Sequence, residues 1–137
     1  MTTFVRLGAA AALVLLPALA YADGPTGTWR HPDGTVMKFY NCGAGLCAQI
    51  AKNNTPGQRD ENNPDAGKRG RLLDGLVLMA GAQKISNTEW RGSLYNPDDG
   101  KTYGGKVIVL SNTEMKLQGC VLGGLVCKGD SLSRVGD

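Results

Sequence analysis

Trp90–Leu110 reads WRGSLYNPDDGKTYGGKVIVL. It divides into a first strand from Trp90, a loop at Asn96-Pro97-Asp98-Asp99-Gly100, and a second strand ending in a run of β-branched residues. Proline presets the turn entry and glycine supplies the left-handed position that closes a short hairpin loop. The residue types of the loop are thus explained by turn geometry, and Asp98 and Asp99 need no catalytic role. Trp90 and Tyr103 are expected to anchor the wall on either side, with Gly100 at the turn.

The same grammar repeats outward from this hairpin. Short apolar segments separated by turn signals every ten residues or so indicate a sandwich or barrel of antiparallel strands. Strands are expected near 27–31, 35–41, 46–51, 76–80, 90–95, 101–110, 114–119 and 126–134. Eight strands of about six residues would send roughly two dozen side chains inward, enough to fill a small barrel or leave room for one small ligand. The segment 72–82, LLDGLVLMAGA, has a short helix as its alternative reading. Alternation does not choose a buried face everywhere, because Val107 and Val109 oppose Ile108 and Leu110.

The first residues are of another kind. Arg6 is the only charge before Asp23, an apolar run follows from Leu7 to Ala20, and Ala20-Tyr21-Ala22 ends it. That is the pattern of a secretory signal peptide, with cleavage expected after Ala22 or, alternatively, after Ala20. The run is shorter than the ~20 apolar residues of a membrane span, so no span is expected after cleavage. The remainder, 23–137, is one domain, and losing Arg6 lowers the formal charge of +3 by one. That balance is too mild for a nucleic-acid partner. A periplasmic or secreted location follows from the export reading.

Cys42, Cys47, Cys120 and Cys127 are the four cysteines. In an oxidising compartment an even count indicates disulfides. Three pairings are open, and the local one, with each bridge stapling a hairpin, is the most economical. Neither spacing is C-x-x-C, which argues against a redox pair or a zinc knuckle. His31 is the only histidine and falls at an expected exposed turn, with no nucleophile signalled near it. No catalytic set, metal site or cofactor is implied.

The stretch 52–71, KNNTPGQRDENNPDAGKRGR, contains no large apolar residue. It reads as a long polar loop, either flexible or a lid, with Asp60, Asn63, Asp65 and Arg71 as a candidate contact surface. Clustering of Asp60, Asp65 and Asp98 in one cleft would signal an enzyme. Asp60 to Asp65 fails the calcium-loop pattern, because Pro64 takes a ligand position.

Gly27-Thr28-Trp29 resembles the opening of lipocalin-like barrels, in which the tryptophan plugs one end and a late arginine, here Arg134, packs over it. Further matching pieces are Asp33-Gly34, Cys42 through Cys47, Asn63-Pro64-Asp65, Leu73-Asp74-Gly75-Leu76, Trp90-Arg91-Gly92, Tyr95-Asn96-Pro97, Gly100-Lys101-Thr102-Tyr103, Leu117-Gln118-Gly119 and Arg134. In order and spacing these resemble the bacterial family called domain of unknown function 2147, small exported proteins with a lipocalin-like barrel. One departure is Leu132, where the family usually has tryptophan; a thinner aromatic lid is implied. The resemblance implies an all-β, antiparallel, lipocalin-like barrel of about eight strands and carries no catalytic residues. The expected function is binding of a small apolar ligand. The alternative is a non-enzymatic envelope or stress-associated protein that contacts an envelope protein partner, with a filled barrel.

Overall fold

The computed structural model describes residues 8–14 and 24–137. Residues 8–14 are exposed and carry no regular structure. The cleavage point expected after Ala22 lies outside the described residues, as does the end of the apolar run before it.

The strands are β1 Gly27–Arg30, β2 Val36–Cys42, β3 Gly45–Lys52, β4 Val77–Lys84, β5 Glu89–Asn96, β6 Lys101–Val109, β7 Glu114–Val121 and β8 Val126–Gly136. Each pairs with the next, β8 returns to β1, and the sheet closes into an antiparallel barrel with no free edge. Where 72–82 could have been helical, the chain makes a turn and then β4. The strand expected to end at Ala80 continues to Lys84. Gly81 bends it instead of ending it, with φ +82° and its backbone so close to Gly45 that a Cβ there would fall 2.7 Å from the Gly81 carbonyl carbon.

Both cysteine pairs close locally, Cys42 to Cys47 and Cys120 to Cys127. The second bridge joins directly opposed residues of the ladder, so the strands run to the tip. The connection expected between strands at 114–119 and 126–134 shrinks to a turn at 122–125 that contains a 3-10 segment, Leu122–Gly124.

Because the strands alternate in direction, the connections fall at two ends. At one end lie segment 24–26 and the turns at 43–44, 85–88 and 110–113; at the other lie the turns at 31–35, 97–100 and 122–125 and the long connection 53–76. The first end is closed. Trp29 is fully buried there with Phe39, Leu46, Val107, Met115 and Leu132. Its Nε1 donates to the Pro25 carbonyl at 2.9 Å. Register places Arg134 opposite Trp29, and the guanidinium carbon lies 4.3 Å from the ring centroid. Arg134 donates to the carbonyls of Gly24 and Thr26, both at 2.7 Å, and of Asn112 at 2.6 Å. Gly27 is required by this packing, since a Cβ there would stand 2.5 Å from Arg134 Nη1. Leu132, in place of an aromatic residue, is itself completely buried in the same core.

The connection 53–76 is not the free polar loop expected. Just beyond the polar stretch, Leu73 and Leu76 form a second small core with Ile50, against Leu78 and Tyr95. Backbone bonds from Asp60 to Arg71 and from Leu73 to Gln58 double the segment back on itself. Asn62 Nδ2 donates to the carbonyls of Pro97 and Asp98 at 3.2 and 3.0 Å, tying the segment to the β5–β6 turn. Gly100 in that turn has φ +71°, and a Cβ there would sit 1.8 Å from the Asn62 carbonyl oxygen. We expect Gly100→Ala to destabilise the protein by more than about 1 kcal/mol, because both the dihedral and the space are incompatible with a side chain. Urea denaturation measures this, and an unchanged midpoint would contradict the contact.

Candidate functional site

The end opposite Trp29 is open. A cleft of about 620 Å³ enters the barrel there. Met37, Ile50, Leu78, Leu94 and Leu117 make its apolar floor and wall, while polar side chains line the mouth. The barrel is therefore half filled: packed from Trp29 to Met79 and hollow above. A second depression of about 740 Å³ lies at the closed end, between segment 24–26 and Trp90. Its lining contains none of the fully buried barrel side chains, whereas Met37, Ile50 and Leu94 border the first cleft.

The mouth is organised by paired side chains. His31 is half-buried, not exposed as its turn position suggested. Its Nε2 lies 2.8 Å from Asp130 Oδ2 and its Nδ1 lies 2.9 Å from Asp33 Oδ1, so it brackets the β1–β2 turn to β8. Burial pushes the Asp33 carboxyl upward, but hydrogen bonds from Thr35 and the neighbouring His31 outweigh it and hold Asp33 below its ordinary pKa. Across the cleft the Tyr103 hydroxyl donates to Asp99. That bond, followed by the Lys101 backbone N–H, holds Asp99 low, and the same bond with the Asp99 carboxylate raises Tyr103.

The long connection contributes its carboxylate to structure. Asp60 is fully buried, and its Oδ1 accepts from the Tyr95 hydroxyl at 2.7 Å. Its Oδ2 accepts from Asn63 Nδ2 at 2.8 Å and Arg71 Nε at 3.0 Å. Asp60 and Asn63 consequently cannot present the contact surface expected of them; a carboxylate without apolar cover in the sequence acquires it from the folded barrel end. Asp65 is exposed and accepts from the Gly67 backbone N–H, capping the 3-10 turn Ala66–Lys68. Arg71 is 40% exposed. Asp98 lines the cleft, but Asp60 and Asp65 do not, so the three acids are not brought together.

Trp90 is half-buried against the main core, with Lys84 Nζ 5.8 Å from its ring centroid. Tyr103 lines the cleft and packs along the wall on Gly119 of β7, where a Cβ would stand 3.3 Å from the Tyr103 Cβ. Lys128 and Asp130 on β8 line the cleft and escaped the sequence reading. They share the parity of buried Leu132, and charges at inward-facing positions of a strand are the signal that could have found them. Among the described residues no His, Cys, Asp and Glu group is placed to hold a metal ion. The cleft lining contains neither serine nor cysteine. The floor of the cleft presents apolar surface, and its mouth presents polar groups fixed by their pairing.

Comparison with known proteins agrees with this architecture. The family model described as "Uncharacterized protein conserved in bacteria (DUF2147)" matches residues 27–134. Among solved structures, a protein from the human pathogen Helicobacter pylori, described as belonging to the lipocalin family, superposes with a TM-score of 0.74 at 21% identity, covering 82% of this chain and 83% of that one. At that identity the likeness is one of fold. No curated protein matches the chain.

Proposed function

Because the chain belongs to the DUF2147 family of uncharacterized proteins conserved in bacteria, we propose that it is an exported binding protein whose open barrel end takes a small ligand, apolar part downward. The half-filled barrel carries this reading. Met37 and Leu94 belong to the main core and, with half-buried Leu117, also border the cleft, so the core ends at its floor. A cleft of about 620 Å³ is within the ~300–1,000 Å³ range of small-molecule sites. The leader pattern and the two disulfides support an oxidising location outside the cytoplasm. Contact with an envelope protein through the long connection has less support, since Asp60 and Asn63 are buried.

The test is titration with N-phenyl-1-naphthylamine, a neutral apolar dye that fluoresces on leaving water. Wild type should bind one dye per barrel. Leu117→Trp, which fills the cleft from its wall, should weaken binding by about tenfold or more, equivalent to ~1.4 kcal/mol. Its melting temperature should change little, because Leu117 is only half-buried. Absence of wild-type binding, or equal binding by the variant, would overturn the proposal.

A further inference from the structure

The β7–β8 turn exposes more apolar surface than folding explains. Val121, Leu122, Leu125 and Val126 are exposed by 44%, 72%, 87% and 51%. Among the described non-glycine residues only Leu122 has a positive φ, 53°. Glycine or asparagine takes that conformation more easily than leucine, and an exposed leucine recovers no burial in exchange. Backbone strain at such a place points to a function. The tip is also held firmly: Cys120 and Cys127 are opposed and bridged, and the Leu125 N–H donates to the Leu122 carbonyl at 3.3 Å.

Its charge is one-sided. From 117 to 129 the sequence LQGCVLGGLVCKG contains Lys128 as its single charged residue. Lys106 approaches from β6, so that a Cβ on Gly124 would stand 3.9 Å from its Nζ. Four acids line the mouth, Asp33, Asp98, Asp99 and Asp130, and all lie outside the tip, on the β1–β2 and β5–β6 turns and on β8; Asp33 and Asp130 are engaged by His31 and Asp99 by Tyr103.

We propose that this stapled tip docks on an anionic lipid surface. Leu122 and Leu125 enter the boundary between headgroups and acyl chains, and Lys106 and Lys128 lie at the level of the phosphates. A protein partner fits less well, since a stable interface buries about 1,200–2,000 Å² and four side chains on a projecting turn offer far less. Val121 and Val126 also line the cleft. The docked mouth would open beside the lipid, and a ligand with an apolar part could pass between bilayer and barrel without crossing water. That transfer rests on the ligand-binding reading above; the docking itself does not.

Sedimentation with sucrose-loaded vesicles of phosphatidylethanolamine and phosphatidylglycerol, without dye, tests the docking. Wild type should pellet with these vesicles at low salt. The double variant Leu122→Ser, Leu125→Ser should partition at least about tenfold less while binding dye in solution as wild type does. Tryptophan emission of Leu122→Trp should shift to shorter wavelength on vesicle addition. Failure of wild type to pellet, equal pelleting by the double variant, or a wild-type dimer that the double variant abolishes would each overturn the proposal. Pelleting without any dye binding would support docking and remove the ligand-binding reading instead.

Discussion

Asp60→Ala is expected to lower the melting temperature by roughly 10 °C or more. The substitution strips three donors, on Tyr95, Asn63 and Arg71, of their common acceptor. Breaking a buried ion pair by removing one partner costs about 3–5 kcal/mol. Arg71 is 40% exposed, and water screens its share, which places the cost near the lower end, about 3 kcal/mol. Asp60→Asn should also fail to restore stability. Its oxygen can serve Tyr95, but its amide nitrogen would then face the Asn63 and Arg71 donors. Trypsin gives an independent readout. Arg59, Lys68, Arg69 and Arg71 all lie in the connection that Asp60 fastens, so the variant should be nicked there under conditions in which wild type survives. A variant as stable and as resistant as wild type would refute this account.

The same group of side chains predicts the limits of stability with pH. Burial pushes the Asp60 pKa up, but hydrogen bonds from Tyr95, Asn63 and Arg71 and the Arg71 charge outweigh it, so the folded value lies below the ordinary 3.8. The unfolded chain therefore takes up this proton first. The contribution of Asp60 is complete above pH of about 4 and is lost as pH falls through the lowered folded value. Tyr95 acts at the other extreme. Burial, followed by the Asp60 carboxylate, raises it from 10.0 to about 12. Its contribution is complete below the unfolded value of 10.0 and disappears as pH rises toward about 12. Thermal melts across pH should show both limbs, and Tyr95→Phe should flatten the alkaline one.

Arg134→Ala is expected to cost about 3 kcal/mol, from charge-assisted hydrogen bonds to three backbone carbonyls and the stacking over Trp29. The side chain holds Gly24, Thr26 and Asn112 together, so its loss opens the plugged end and frees the segment before β1. Arg134→Lys should recover little of this. An ammonium is a single point of charge, while three carbonyls and a ring face are served here by one planar fork. Urea denaturation would give the energies, and a red shift of the Trp29 emission would report water at the ring. If lysine restored most of the stability, the positive charge would matter more than the shape of the group.

Much of the architecture was legible in local residues because it is locally caused. Pro97 and Gly100 dictate a hairpin, glycine-rich turns flanked by cysteines dictate stapled ones, and repetition of such units leaves an antiparallel sheet that must hide its edges by closing. Gly27-Thr28-Trp29 with Arg134 was readable as a plugged end only through the resemblance of that motif and the late arginine to lipocalin-like barrels. Where alternation failed, so did the reading: in the run Val107 to Leu110 only Val107 is fully buried, a choice made by closure.

The remaining features depend on residues distant in sequence. The stretch 52–71 looked free because it contains nothing large and apolar, yet Asp60 meets Tyr95 thirty-five residues away and Leu73 packs on Ile50. His31 looked exposed until β8 brought Asp130 within 2.8 Å of it. By itself the sequence determined strand number, turn positions and the economy of local disulfides, all short-range consequences of backbone dihedrals, side-chain alternation and loop entropy. Only the tertiary structure decided that the barrel is packed at one end and hollow at the other, that its polar connection is fastened, and that a strained leucine stands at the mouth. Those outcomes depend on how side-chain volumes and charges from eight strands meet once the sheet has closed, which no local pattern specifies.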